Sequence, residues 1–71
     1  MATALVYDPS EQAKRRRRAR ISQETIARRL DIAISKVSEY ETGKRNLPWE
    51  LTGEDYERAL NEVLRERGDL K

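Results

Sequence analysis

The 71-residue chain contains no cysteine and no histidine. Together these absences exclude disulfide scaffolds, Cys/His zinc sites, thiol nucleophiles and Ser-His-Asp triads. The missing cysteines are consistent with a reducing, intracellular compartment. Apolar residues are scarce: 37% of the chain is hydrophobic. Charged residues make up 39%, against a usual ~25%. Such a chain forms one domain at most, with a small core that a self-associating partner could complete. No stretch approaches the ~18 apolar residues of a membrane span. The opening Met-Ala-Thr-Ala-Leu-Val has neither the charged region nor the long apolar run of an export signal. An enzyme is not expected. No nucleophile has a base beside it, no glycine-rich loop is present to cradle phosphate, and the carboxylates of residues 50–69 mostly decorate one helix face. Glu54 and Asp55 alone would hold a metal weakly, so neither metal nor cofactor is expected.

What the chain does have is charge, unevenly placed. Residues 1–48 carry 11 Lys/Arg against 6 Asp/Glu, a net +5, while residues 49–71 carry 4 against 7, a net −3. A basic front suggests an anion-facing surface, and an acidic rear suggests a different task for the tail. The run from Lys14 to Arg18, with Arg20, reads either as an anion contact or as a solvated helix face.

Residues 1–8 read as an arm leading into a helix. Asp8 is its expected N-cap, Pro9 takes the first helical position, where its missing N–H costs nothing, and Glu11 lies three residues after the cap. The stripe of this helix is poor, only Ala13 and Ala19, so it must lean on its neighbours. Ser22 caps a second helix over 23–30, with Ile26, Ala27 and Leu30 on one face. After Asp31-Ile32-Ala33, a third helix runs from Ile34 to about Thr42, burying Val37 and Tyr40, and Gly43 ends it. Residues 48–51 suggest a further turn of helix, with Trp49 expected to pack. Thr52 caps the last helix, about 53–67, whose stripe of Tyr56, Ala59, Leu60, Val63 and Leu64 has clean helical spacing. The expected fold is all-α, a compact bundle of four to five helices over 9–67 with a short tail at 68–71.

Two short helices joined by a three-residue turn must cross steeply, which requires a small residue at the contact and bulky plugs around it. Ala27 meets the first requirement, and Ile26, Leu30, Ile32, Val37 and Tyr40 the second. This is the demand of a helix-turn-helix over 23–42, whose second helix enters the DNA major groove. Residues 22–45 resemble the lambda-repressor-like, Cro-type (xenobiotic-response-element) family. The residues that carry the resemblance are Ser22-Gln23-Glu24, Ile26-Ala27, Leu30, Ile32, Val37-Ser38 and Glu41-Thr42-Gly43-Lys44. The likeness extends more loosely over about 10–66. The chain departs from the family at Asp31, where glycine is usual, at Ala33, where a polar cap is common, and at Gln12 and Arg15, which replace apolar residues.

The resemblance implies a sequence-specific regulator of double-stranded DNA, a repressor of phage, plasmid or bacterial type, located in the cytoplasm with the nucleoid. Ile34, Ser35 and Glu39 fall at its base-facing positions, with Lys36 and Ser38 flanking. Chemically, Glu39 can accept from a cytosine amino group, Ser35 suits several bases, and Ile34 can touch a thymine methyl or serve the core. Ser22 and Gln23 at the start of the second helix, and Thr42, Lys44 and Arg45 beyond the third, fall at phosphate-contacting positions. Arg16 matches a family arginine that pairs with the residue at Glu41; it is either structural or a further phosphate contact.

The resemblance also implies a homodimer on palindromic DNA, with Tyr56, Leu60, Val63 and Leu64 divided between core and dimer contact. The small size favours switching by concentration or by a partner. Two competing readings use the same helix-turn-helix. An antitoxin would bind a protein partner through residues 49–71 while regulating its own operon. A recombination accessory factor would instead bend DNA.

Overall fold

The computed structural model describes residues 7–68. Among them the fold is all-helical: α1 (Pro9–Arg18), α2 (Gln23–Leu30), α3 (Ile34–Glu41) and α4 (Gly53–Glu66). Apart from Tyr7 and Asp8, the expected arm lies outside the described residues, as does the tail beyond Gly68.

The helix starts follow side-chain chemistry. Asp8 accepts the Ser10 N–H at 2.9 Å, with Pro9 at the first position. Ser22 Oγ accepts from Thr25 N at 3.1 Å. Thr52 N donates to Asp55 Oδ2 at 2.7 Å, tying the first turn of α4 to its own entry. Ala33 has no side-chain acceptor to offer, so α3 begins without a cap bond. The ends of α1, α2 and α3 share one device, paired hydrogen bonds closing the last turn with the next residue in the left-handed region. That residue is Arg20 (φ 61°) after α1, Asp31 (φ 59°) after α2 and Gly43 (φ 78°) after α3. Gly43 occupies this region without strain because it lacks a Cβ.

The expected turn of helix at residues 48–51 does not form. Trp49 adopts φ 59°, a left-handed conformation that ends any helix it enters, and a single bond from Leu51 N to Pro48 O (3.3 Å) closes the turn. Nor does Trp49 pack; it is 77% exposed. The buried apolar side chain of this connection is Leu47.

The core joins Ile21, Ile26, Ala27, Val37, Tyr40, Leu47, Tyr56, Ala59, Leu60 and Val63, with Leu30, Ile32, Leu51 and Leu64 packed against it. Tyr40 and Tyr56 meet at its centre, ring centroids 5.3 Å apart and tilted by 35°. The α4 stripe is therefore spent inside its own domain: Tyr56, Leu60 and Val63 are buried and Leu64 is half-buried.

α1 docks by a different route, since it buries Gln12, Ala13 and Arg16 rather than an apolar stripe. Gln12 Nε2 donates to Gly53 O and to Glu57 Oε1, each at 3.0 Å, and its Oε1 accepts from the Tyr40 hydroxyl. Arg15 pairs with Glu57 and donates to Asn61. The two departures from an apolar first helix, Gln12 and Arg15, are thus the residues that fasten α1 to α4. Gly53 permits this approach, because a Cβ there would lie 2.9 Å from the Tyr40 hydroxyl and 3.0 Å from Tyr7 Cβ.

Candidate nucleic-acid interface

α3 presents two unlike faces. Val37, Tyr40 and Glu41 are buried against α1, α2 and α4, and at 100° per residue this places Ser35, Glu39 and Thr42 on the opposite side. Ser35 and Lys36 are exposed, Ser38 and Glu39 are half-buried, and Ile34 is 46% exposed, so Ile34 is not absorbed by the core. Lys36 Nζ lies 3.8 Å from Glu39 Oε1, an oxygen that is buried without a hydrogen-bond partner. Thr42 Oγ1 donates to the carbonyls of Ser38 (3.0 Å) and Glu39 (3.2 Å), which fixes its side chain at the helix end. The outward surface is a short run of hydroxyls, one ammonium and one carboxylate. These are the donors and acceptors that base edges in a major groove can meet.

A buried polar junction aligns this helix with the rest of the domain. Arg16 Nε donates to Glu41 Oε2 at 2.7 Å and Nη2 to Oε1 at 3.0 Å, while Nη1 donates to Ile21 O at 2.8 Å. The Tyr56 hydroxyl donates to the same carboxylate, as does Gln23 Nε2 at 2.9 Å. Burial alone would raise the Glu41 pKa, but the bonds from Arg16, Tyr56 and Gln23 together with the Arg16 charge outweigh it and hold the group below its ordinary value. The Tyr56 hydroxyl is pushed well up, by burial first and by its bond to Glu41 second. One carboxylate thereby joins α1, the start of α2, the end of α3 and the first turns of α4.

The junction engages two of the expected phosphate contacts. Arg16 is buried, and its hydrogen bonds run inward to Glu41 and Ile21 O, the structural one of its two expected roles. Gln23 is half-buried and gives one amide hydrogen to Glu41; the second hydrogen of that NH2 group remains for a phosphate oxygen. Ser22 is exposed, but its Oγ is occupied by the α2 cap and by a contact to Thr25 Oγ1 at 2.9 Å. Lys44 and Arg45 are exposed beyond the Gly43 turn.

Charge pairing separates one surface from another. Every carboxylate of α4 has an arginine partner: Glu54 and Asp55 with Arg58, Glu57 with Arg15, and Glu62 and Glu66 with Arg29. The acidic rear is thus largely engaged with this domain's own arginines. Among the described residues, the cations without a carboxylate partner are Arg17, Arg18, Arg20, Lys44, Arg45 and Arg65. All but Arg65 lie in the two stretches that leave the Arg16–Glu41 junction, 17–20 and 44–45. The charge run was visible in the sequence; which of its members stay unneutralised depended on the fold.

The family model described as a helix-turn-helix domain matches residues 12–61, more than two thirds of the chain. The chain belongs to the helix-turn-helix domain family. No curated protein and no solved structure matches it significantly. The match runs from Gln12 in α1 through α2 and α3 to Asn61 in α4, so the polar fastening of α1 and the buried junction both belong to the helix-turn-helix domain. It supports DNA binding by this domain. Among the described residues of this helix-turn-helix domain, no helix is long and apolar enough to cross a membrane.

Proposed function

We propose that the protein is a sequence-specific transcriptional regulator of the lambda-repressor-like, Cro type, acting in the cytoplasm as a repressor. The observation that carries this reading is the polar outward face of α3 beside two stretches of unneutralised cations. In it, Ser35, Lys36, Ser38 and Glu39 read base edges, with Ile34 at the rim against a thymine methyl. Gln23, Lys44 and Arg45 hold phosphates and set register, whereas the Thr42 hydroxyl has given its only hydrogen to the end of α3; Arg16 and Glu41 hold the reading helix at a fixed angle to them.

In this reading a twofold dimer meets a palindromic operator, with half-sites about one helical turn, ~34 Å, apart. Tyr56, Leu60 and Val63 are unavailable to that dimer because each is buried in its own domain. Exposed Trp49 and half-buried Leu64 are apolar side chains left for a second copy. The antitoxin reading draws less support, since α4 spends its apolar stripe and its carboxylates within the domain.

The test is fluorescence anisotropy on duplexes from the region upstream of the protein's own gene, against a scrambled duplex, across a salt series. Tighter binding to the upstream duplex that persists at physiological salt is the expected result. Equal and salt-fragile binding to both would leave only a generic basic surface and overturn the reading.

A further inference from the structure

Arg20 stands in a backbone conformation that suits glycine. Its φ is 61°, and it follows α1 at the position where the chain reverses: Arg20 N donates to Arg17 O at 2.9 Å and Ile21 N to Arg16 O at 3.1 Å. The left-handed region crowds the Cβ of an L-residue against its own backbone, and glycine avoids that cost. The same protein uses Gly43 for the equivalent turn after α3. The arginine at residue 20 does not recover the cost through contacts. Its side chain is exposed and, among the described residues, has no carboxylate partner. Strain kept where nothing in the fold requires the side chain points to a use outside the fold.

The surroundings identify that use. Arg16 grips this turn from both directions, its Nη1 donating to Ile21 O at 2.8 Å while its own carbonyl accepts from Ile21 N. The other groups of the same guanidinium hold Glu41, two residues before the Gly43 turn that leads to Lys44 and Arg45. Two cationic turns therefore hang from the two ends of one buried ion pair, and Gln23 is bonded to that pair as well. An exposed guanidinium carried on a backbone turn braced in this way, with no internal anion, is suited to a phosphodiester, which it can hold with paired N–H bonds.

We infer that Arg20 is a DNA phosphate contact, its strained turn held by Arg16 so that it works with Lys44 and Arg45 on the backbone beside the reading helix. This rests on the DNA-binding reading above and adds to it a residue outside the helix-turn-helix itself.

The test compares wild type with Arg20→Gly and Arg20→Lys, using a fluorescein-labelled duplex of mixed sequence over a salt series, with thermal melts of each protein. Arg20→Gly relieves the turn, so its melting temperature rises. Its affinity falls roughly three- to tenfold at low salt, and the slope of log K against log salt becomes shallower by about one. Arg20→Lys keeps affinity and slope close to wild type. Stability and binding moving in opposite directions separate a phosphate contact from a folding defect. If wild type binds the duplex and Arg20→Gly matches it in affinity and slope, the phosphate role of Arg20 is overturned while the DNA-binding reading stands. If wild type binds no duplex at any salt concentration, the DNA-binding reading itself falls, and the role of Arg20 with it.

Discussion

Arg16 and Glu41 form a two-pronged ion pair whose side chains are each less than a tenth exposed, with nitrogen–oxygen distances of 2.7 and 3.0 Å. Breaking such a pair from one side leaves an uncompensated buried charge. Arg16→Met is therefore expected to cost about 3–5 kcal/mol, a large part of what a small domain has. Glu41→Leu should cost a similar amount, because it strips acceptors from Tyr56 and Gln23 as well as from Arg16. The double variant should be much less destabilised than the sum of the two. Chemical denaturation of all three checks this, and additive losses would contradict a coupled pair.

The same carboxylate sets the acid limit of the fold. Glu41 and Glu57 both have pKa values below the ordinary glutamate value of 4.5. For Glu57 burial acts upward, and the bonds from Arg15 and Gln12 with the Arg15 charge overcome it. The unfolded chain therefore takes up protons first as pH falls. The stability from these groups is fully present above about pH 5 and is lost as pH drops through their folded-state values. With no histidine to titrate, the melting temperature should be flat between about pH 6 and 8 and fall below about pH 4.5. Glu41→Gln should be less stable at neutral pH and show a shallower acid decline; an unchanged slope would place the linkage elsewhere.

Asp31 follows α2 at φ 59° and ψ 47°, with a negative charge at the negative end of the helix dipole. Both features are unfavourable, and its side chain is exposed. Asp31→Gly should stabilise the protein by roughly 0.5–1.5 kcal/mol, or about 4–8 °C in melting temperature per kcal/mol for a domain of this size. Trp49→Gly, at φ 59°, should likewise raise the melting temperature, because a side chain 77% exposed gives up little burial. The same exposure makes wild-type Trp49 fluorescence solvent-like and readily quenched by acrylamide before denaturant is added. Strong protection from quenching in the free monomer would contradict the placement of this side chain.

The helices were legible because their punctuation is chemical and local. Asp8-Pro9, Ser22, Gly43 and Thr52 each announce a boundary through a cap or a permissive backbone, and the α4 stripe repeats with helical spacing. Legibility stopped where tertiary partners decide. Gln12 looked like a flaw in an apolar stripe until its hydrogen bonds to Gly53, Glu57 and Tyr40 could be seen. Ile21 and Leu47 are isolated apolar residues in connections, with no periodicity to mark them as core. Trp49 carried the opposite error, since hydrophobicity suggests burial while its left-handed backbone turns it outward. In the interface, the residues of α3 could be ordered by helical spacing alone. The split of Arg16 from its cationic neighbours came instead from the family resemblance, which pairs it with Glu41, 25 positions away, as the structure does.

Gln23 and Glu39 should fail in different ways. Gln23 is held by Glu41 at 2.9 Å at the start of α2, where its remaining amide hydrogen and the helix end favour a phosphate. Phosphates carry no sequence, so Gln23→Ala should weaken operator and scrambled duplex by a similar factor. Glu39 is half-buried on the side of α3 opposite Val37 and Tyr40; its Oε1 is buried without a hydrogen-bond partner, so a base must be met by the other carboxylate oxygen or after a change of rotamer. A carboxylate rewards a cytosine amino group and penalises the acceptor-rich edge of guanine, so Glu39→Ala should lower the preference between them by about 1–3 kcal/mol. Removing its negative charge should also leave non-specific affinity equal or slightly higher. Selection of preferred sites from randomised duplexes, repeated with each variant, separates the two outcomes. A Glu39→Ala protein that selects the wild-type sequence unchanged would take Glu39 out of the reading surface.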